Sequence, residues 1–360
     1  MSWSSDLCRQ VRLVKVFRPQ LLESCGIILS YQCTNRCRHC LYASSPGARE
    51  WITEAEIAHV ARQLRCCSSS IHSIHLAGGE PFIRFDLLKR AVQIFVDQGL
   101  PLHYVETNGF WATSDERARD LLTQLKQAGL PAILISVSPF HLEFIPFERT
   151  RRAVRIAEEI FGPFGTLLFT ERFFHHFTSL GIEGRLPFEE YLKLVSKEWL
   201  ARQLLTDYQF VPGGRAALML EDLFPHWPAE HFFGETCAAQ LGYGGHVHLD
   251  LHRNYIGGLC AGISLGQPNN LTDLFGAGVD LSQRPVLERL VNAGIQGLYE
   301  WAVREHGYTP RPEGYIAKCH LCVDIRRYLW DRGFRPPELA PAEFYQHLDE
   351  TPPTFRRPNQ

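Results

Sequence analysis

No stretch of this chain approaches the ~18 consecutive apolar residues of a membrane span, and residues 1–17 hold no continuous apolar run of the signal-peptide kind. Charge of one sign is also missing. Lysine plus arginine number 37 and aspartate plus glutamate 39, leaving a net charge of −2. That balance removes the electrostatic motive for nucleic acid or an anionic membrane as partner. There is no internal repeat of fixed period and no low-complexity tract. The expectation is a cytoplasmic protein. Its 45% hydrophobic and 21% charged residues, over 360 positions, suit one large core and a smaller appendage.

Eleven cysteines stand out against that background. Cytosolic thiols are kept reduced, so a disulfide framework is not expected and the grouping points to metal. Cys33, Cys37 and Cys40 fall within eight residues, and Cys319 and Cys322 form a Cys-x-x-Cys pair. Cys8, Cys25, Cys66 and Cys67 lack ligand spacing and are expected to be buried small apolar residues.

Strand and helix patterns alternate along the first two thirds of the chain. Strands are expected at 26–30, 71–77, 102–107, 132–137, 166–170 and 208–211. Helices are expected at 53–65, near 85–98, at 114–128, 147–160 and near 187–203. Thr53 with Glu56 forms a capping box, and Gly129 stops the third helix. Such alternation implies parallel strands joined by crossover helices, either as a partial barrel or as an open doubly wound sheet. In both, functional groups sit in loops at the carboxyl ends of the strands. Beyond about Gly214 the rhythm fails. Helices are expected over 285–304 and 322–330, and the proline-rich tail from Arg335 is expected to run over the surface, with a helical turn at 343–348.

The Cys-x3-Cys-x2-Cys loop follows directly on the first strand. Three thiolates on a four-iron cube leave one iron open to a ligand. The spacing also admits a zinc site, which would need a fourth ligand that His39 supplies only awkwardly, or free core cysteines. The segment from Cys33 to Cys40 resembles the cluster loop of the radical S-adenosylmethionine (radical SAM) superfamily, with His39 where the family often has an aromatic residue. Three further motifs follow in that family's order. Gly78-Gly79-Glu80-Pro81 resembles the family's turn for the amino group of the methionine moiety. Glu106-Thr107-Asn108-Gly109 resembles its threonine–asparagine–glycine turn. Ser136 and Ser138, on one face of the fourth strand, stand where relatives contact ribose, with Ser138 in place of an acid. The resemblance also offers Arg172 for the methionine carboxylate and the 211–215 segment beside adenine. His141 faces the expected mouth as a substrate contact or a packing residue.

Cys237, Cys260, Cys319 and Cys322 supply the four thiolates of a closed cluster. They resemble the C-terminal SPASM/twitch-like auxiliary-cluster domains of family members, with the 248–255 segment as a hairpin before Cys260. A zinc knot would use the same four sulfurs. The resemblance thus implies an α/β fold. It would be a partial (β/α)6 TIM-like barrel at 24–216, with an extension at 1–23, a small irregular cluster-binding domain at 217–334 and a tail at 335–360. It implies two [4Fe-4S] clusters, S-adenosyl-L-methionine, and an electron donor such as flavodoxin or ferredoxin. Reductive cleavage of the cofactor would yield a 5′-deoxyadenosyl radical that takes a substrate hydrogen. The substrate is expected to be a peptide or protein side chain, with a small molecule as the competing reading. No catalytic residue is singled out. The readings of another class are an iron–sulfur electron carrier and a zinc-stabilised binding module.

Overall fold

The computed structural model describes residues 14–20, 22–67, 70–206, 210–243 and 245–352. Strand β1 (Ser24–Ile28) is buried along nearly its whole length, as is β2 (Ser73–Ala77). Strands β3 (Leu102–Thr107), β4 (Ala132–Ser136) and β5 (Thr166–Phe169) follow, each after a helix. Continuous apolar runs of this kind belong to parallel strands covered on both faces. The covers are α1 (Glu54–Cys66), α2 (Phe85–Asp97), α3 (Asp115–Gln127) and α4 (Phe147–Phe161). Their starts follow from local chemistry. Thr53 and Glu56 cap α1 reciprocally, and Ser114 accepts from Arg117 N at the head of α3.

The sixth parallel strand is not where the sequence pattern placed it. Phe210 and Val211 are irregular, and Tyr208 lies outside the described residues. Strand β6 (His246–Asp250) takes that role, and it pairs with β1 at the other side of the sheet. Strand β7 (Tyr255–Gly257) turns back antiparallel on β6. The sheet order is therefore β5-β4-β3-β2-β1-β6-β7. Residues of β5 and of β6, the two outermost parallel strands of this row, line one common cavity, so the sheet curves into a partial barrel. The hairpin expected at 248–255 is thus continuous with the main sheet.

Other boundaries shift for identifiable reasons. The expected helix near 187–203 is two helices, Phe188–Tyr191 and Lys197–Thr206. Ser196 Oγ accepts from Trp199 N and opens the second, as serine favours. Helix α5 (Pro285–His306) bends at Gly294, where φ is +61° and a Cβ would meet Glu235 O at 2.4 Å. Helix α6 (Lys318–Asp331) begins before both of its cysteines.

The tail does not lie on the surface. Glu338, Phe344 and Leu348 are all fully buried. Glu338 accepts from Val286 N, and Phe344 fills the space that the missing side chain of Gly262 leaves. Glu350 accepts from Ser45 Oγ beside the cysteine loop. Apolar residues spaced between prolines let an extended segment bury anchors without forming a long helix. Cys25 is buried as expected, Cys66 is exposed, and Cys8 lies outside the described residues.

Candidate functional site

A cavity of about 410 Å³ opens at the carboxyl ends of the strands. Cys33, Cys37 and Cys40 line it, facing Gly78, Gly79, Asn108 and Ser136. The loop carrying the cysteines is fastened from several sides. Tyr31 donates to Asp250 at the end of β6 (2.9 Å). Cys33 N donates to Ser45 O, and Arg38 pairs with Glu143 (3.1 Å) and Glu189 (2.9 Å). Two backbone N–H groups point at sulfur: Asn35 N at Cys33 Sγ (3.4 Å) and Ser44 N at Cys40 Sγ (3.3 Å).

The glycines of the Gly78–Pro81 turn are required by the cysteine loop itself. A Cβ on Gly79 would lie 2.0 Å from Gln32 O, and one on Gly78 would lie 2.7 Å from Ser30 O. Only bare backbone passes that close. Glu80 is fully buried, and both carboxylate oxygens are engaged within the protein. They accept from Phe82 N (3.1 Å), Thr107 Oγ1 (2.8 Å) and Asn108 N (2.7 Å). Burial pushes its carboxyl up to about 7 against the pull of those donors. Glu80 therefore joins the second and third strand-end turns. Asn108, held by it, donates to Thr34 Oγ1 (3.0 Å) and approaches Cys33 Sγ (3.7 Å). Pro81 is buried at the start of a short turn and lies outside the cavity lining.

The remaining expected residues divide. Ser136 faces the cavity. Ser138 is buried outside its lining, bonded to His141 Nδ1 (2.8 Å) and capping the turn Pro139–Leu142. His141 and His39 both line the cavity, and their rings meet edge to face at 4.9 Å. Burial holds His141 down to about 4, so it is neutral. Arg172 is exposed on the helix after β5 and is not among the lining residues.

Arg215 is the residue whose role sequence reasoning missed. It is fully buried, and its guanidinium donates to Cys37 O (3.0 Å), Ser44 O (3.1 Å) and His347 O (3.0 Å). Its own N–H donates to Cys40 O, made reachable because a Cβ on Gly214 would collide with Leu41 O. The only trace in the sequence is a basic residue after two glycines.

The second cysteine set also converges. Cys237 precedes a short helix, Cys260 follows β7, and Cys319 and Cys322 stand three residues apart in the first two turns of α6. Burial first, then the charge of Cys322, pushes Cys237 up to about 12 and Cys319 up to about 11. Cys260 is raised by burial and by all three of the others. Arg326, buried nearby, donates to Ala261 O (3.1 Å) and to Tyr345 OH (2.8 Å).

Both sets suit an iron–sulfur cube. In the first, Cys33 and Cys37 are raised by burial and by neighbouring groups of negative charge, so bound cations are needed to hold them as thiolates. Among the described residues no three cysteine sulfurs lie within 4.8 Å of one another.

Residues 27–168 match the family model described as the radical SAM superfamily. The chain carries a radical SAM domain, the class that its strand-end turns and three-cysteine loop define. That family uses a [4Fe-4S] cluster and S-adenosylmethionine. The chain is similar to the "Putative peptide biosynthesis protein YydG" of Bacillus subtilis, 24% identical over 34% of this chain and 38% of that protein. It is similar to GTP 3′,8-cyclase of Haemophilus influenzae, 31% identical over 35% and 36%. It is similar to molybdenum cofactor biosynthesis protein 1 of Homo sapiens, 38% identical over 33% and 18%. The chain thus spans less than two fifths of the length of these relatives. Among solved structures, BtrN in complex with AdoMet and 2-DOIA overlaps 77% of this chain and 93% of its own, with a TM-score of 0.44 and 11% identity. No helix among the described residues is long and apolar enough to cross a membrane.

Proposed function

We propose that this protein binds a [4Fe-4S] cluster at Cys33, Cys37 and Cys40 and S-adenosylmethionine beside it, and that it initiates a radical reaction on a peptide or protein side chain. The observation that carries the reading is the convergence of the three cysteines, the Gly78-Gly79 turn and Asn108 on one cavity. When bound, the cluster and S-adenosylmethionine supply reductive cleavage to a 5′-deoxyadenosyl radical able to take a substrate hydrogen. The protein's own part is positional. Arg215, Asp250 through Tyr31, and Asn108 fix the cysteine loop, and Glu80 keeps Asn108 at the cavity wall. Ser136 offers a hydroxyl to the ribose. Neutral His39 and His141 present flat rings to the cavity without adding charge.

Cys237, Cys260, Cys319 and Cys322 are proposed to hold a second [4Fe-4S] cluster, with the 217–334 region as a shortened auxiliary domain. That second centre supports the peptide reading, and so does the name of the Bacillus relative. The cyclase relative keeps a small-molecule substrate as the competing outcome. An electron donor of the flavodoxin or ferredoxin class and a cytoplasmic setting complete the proposal.

The test is anaerobic reconstitution followed by iron and sulfide counting and an assay for 5′-deoxyadenosine after reduction. About eight irons per chain are expected, with deoxyadenosine formed. Cys37→Ala should abolish deoxyadenosine formation. Clusters without cofactor cleavage would leave only an electron carrier, and zinc without sulfide a binding module. Mass spectrometry of candidate peptides and small molecules after turnover separates the two substrate classes.

A further inference from the structure

Further down the same cavity, three histidines crowd around a glycine. The parallel register sets Gly26 of β1 beside His75 of β2 on one side and His248 of β6 on the other. Side-by-side residues of parallel strands point to the same face, and His246, two positions earlier, shares it. All three imidazoles line the cavity. A Cβ on Gly26 would stand 2.6 Å from Nε2 of both His75 and His248, so the absent side chain is what lets the rings converge. One ligand atom from each ring lies within 4.8 Å of the other two.

The surroundings of the rings are those of metal ligands. His246 Nδ1 is engaged by Ser24 Oγ (2.9 Å) and His248 Nδ1 by Tyr42 OH (2.7 Å), leaving both Nε2 atoms for the cavity. A partner on the far ring nitrogen is the usual support of a coordinating histidine. His75 is 2% exposed, and neither of its ring nitrogens has a hydrogen-bond partner among the described residues. An orphaned buried polar group of this kind costs about 1–3 kcal/mol and calls for a ligand. Glu106 reaches toward His75, with Oε1 3.4 Å from its Nε2.

We propose that His75, His246 and His248 form a three-imidazole site for a zinc-type divalent ion, with the fourth position open to the cavity they line. Bringing the three nitrogens to ~2.0–2.1 Å from a shared centre moves each by less than about 1 Å, and it turns His75 and His246 out of the parallel stack in which their rings lie 5.1 Å apart. Neutral imidazole is a donor that suits such an ion and differs from the thiolates of both cysteine sets. The site needs neither reductant nor S-adenosylmethionine, so its test is independent of the reaction proposed above.

The experiment uses protein whose cysteine sites have been filled by anaerobic reconstitution. It is incubated with zinc, freed of excess metal and analysed by zinc quantification and zinc-edge X-ray absorption. The expected result is one retained zinc per chain with a nitrogen/oxygen shell near ~2.0–2.1 Å. His75→Ala should lose it. Ser24→Ala, which removes only the outer partner of His246, should weaken zinc affinity by ~10–100-fold and keeps the test decisive if His75→Ala does not fold. No retained zinc, a sulfur shell near ~2.3 Å, or unchanged affinity in Ser24→Ala would overturn the assignment. Deoxyadenosine formation without retained zinc would refute this site alone and leave the radical reading standing.

Discussion

Replacing Arg215 with methionine keeps most of its apolar stem and deletes the guanidinium that ties Cys37 O, Ser44 O and His347 O together. Hydrogen bonds from a charged donor contribute about 1.5–3 kcal/mol each, so three are worth roughly 5–9 kcal/mol before other terms. Removing a buried cation also recovers several kcal/mol of its desolvation. Cys37 O keeps a second donor in Cys40 N, which softens the loss there. The net expectation is a destabilisation of about 2–4 kcal/mol, concentrated in the cysteine loop and the docked tail. At 1.36 kcal/mol per decade that is a ~30- to ~1,000-fold increase in local opening. Hydrogen exchange of residues 37–45 and 343–350, with iron content after reconstitution, reads it directly. Arg215→Lys keeps the charge but cannot span three carbonyls, so it should fall between the two. If Arg215→Met exchanges at the wild-type rate and takes up a full first cluster, the guanidinium is not what holds the loop.

Cys319→Ala should remove the second cluster and leave the first detectable by its iron and its spectrum; loss of both signals together would contradict two separate centres. Gly79→Ala places a methyl 2.0 Å from Gln32 O and should prevent assembly of the first cluster while leaving the second intact, measured as a fall to about half the iron. The His252–Glu343 pair (2.6 Å) anchors the tail and should be pH-dependent. His252 is raised chiefly by its bond to Glu343, so its stabilisation is present below 6.5 and lost as pH rises through the raised value. Glu343 is lowered, burial opposing the pull of the His252 bond, so its contribution is present above 4.5 and lost as pH falls through the lowered value. His252→Gln should therefore cost about 1 kcal/mol in denaturant titrations between pH 5 and 6, and little at pH 9. An equal cost at both pH values would refute the ion pair.

Much of the core could be read from local pattern. The capping box at Thr53, the serine cap at Ser114 and the apolar runs of β2 to β5 are short-range features, and each lies within a few residues of its expected place. The cysteine loop and the three strand-end turns were legible for the same reason, since spacing along the chain sets what a short loop can reach. Reading failed where partners are far apart in sequence. Nothing local marks His246–Asp250 as the neighbour of Ser24–Ile28. A strand edge accepts any segment of fitting register, and the segment that docks is decided by burial of its whole face. The tail was misjudged because proline content describes backbone conformation and not burial of the residues between.

By itself, then, the sequence determined the spacing of the cysteines, the glycines and the order of turns, because those depend on residue type and on separations of a few positions. Only the tertiary structure decided that Glu80 spends both oxygens inside the protein, that Arg215 closes the cysteine loop, and that Gly26 sits between His75 and His248. Each of these joins atoms from segments distant along the chain, and such contacts arise from how curved layers pack rather than from what any one segment prefers.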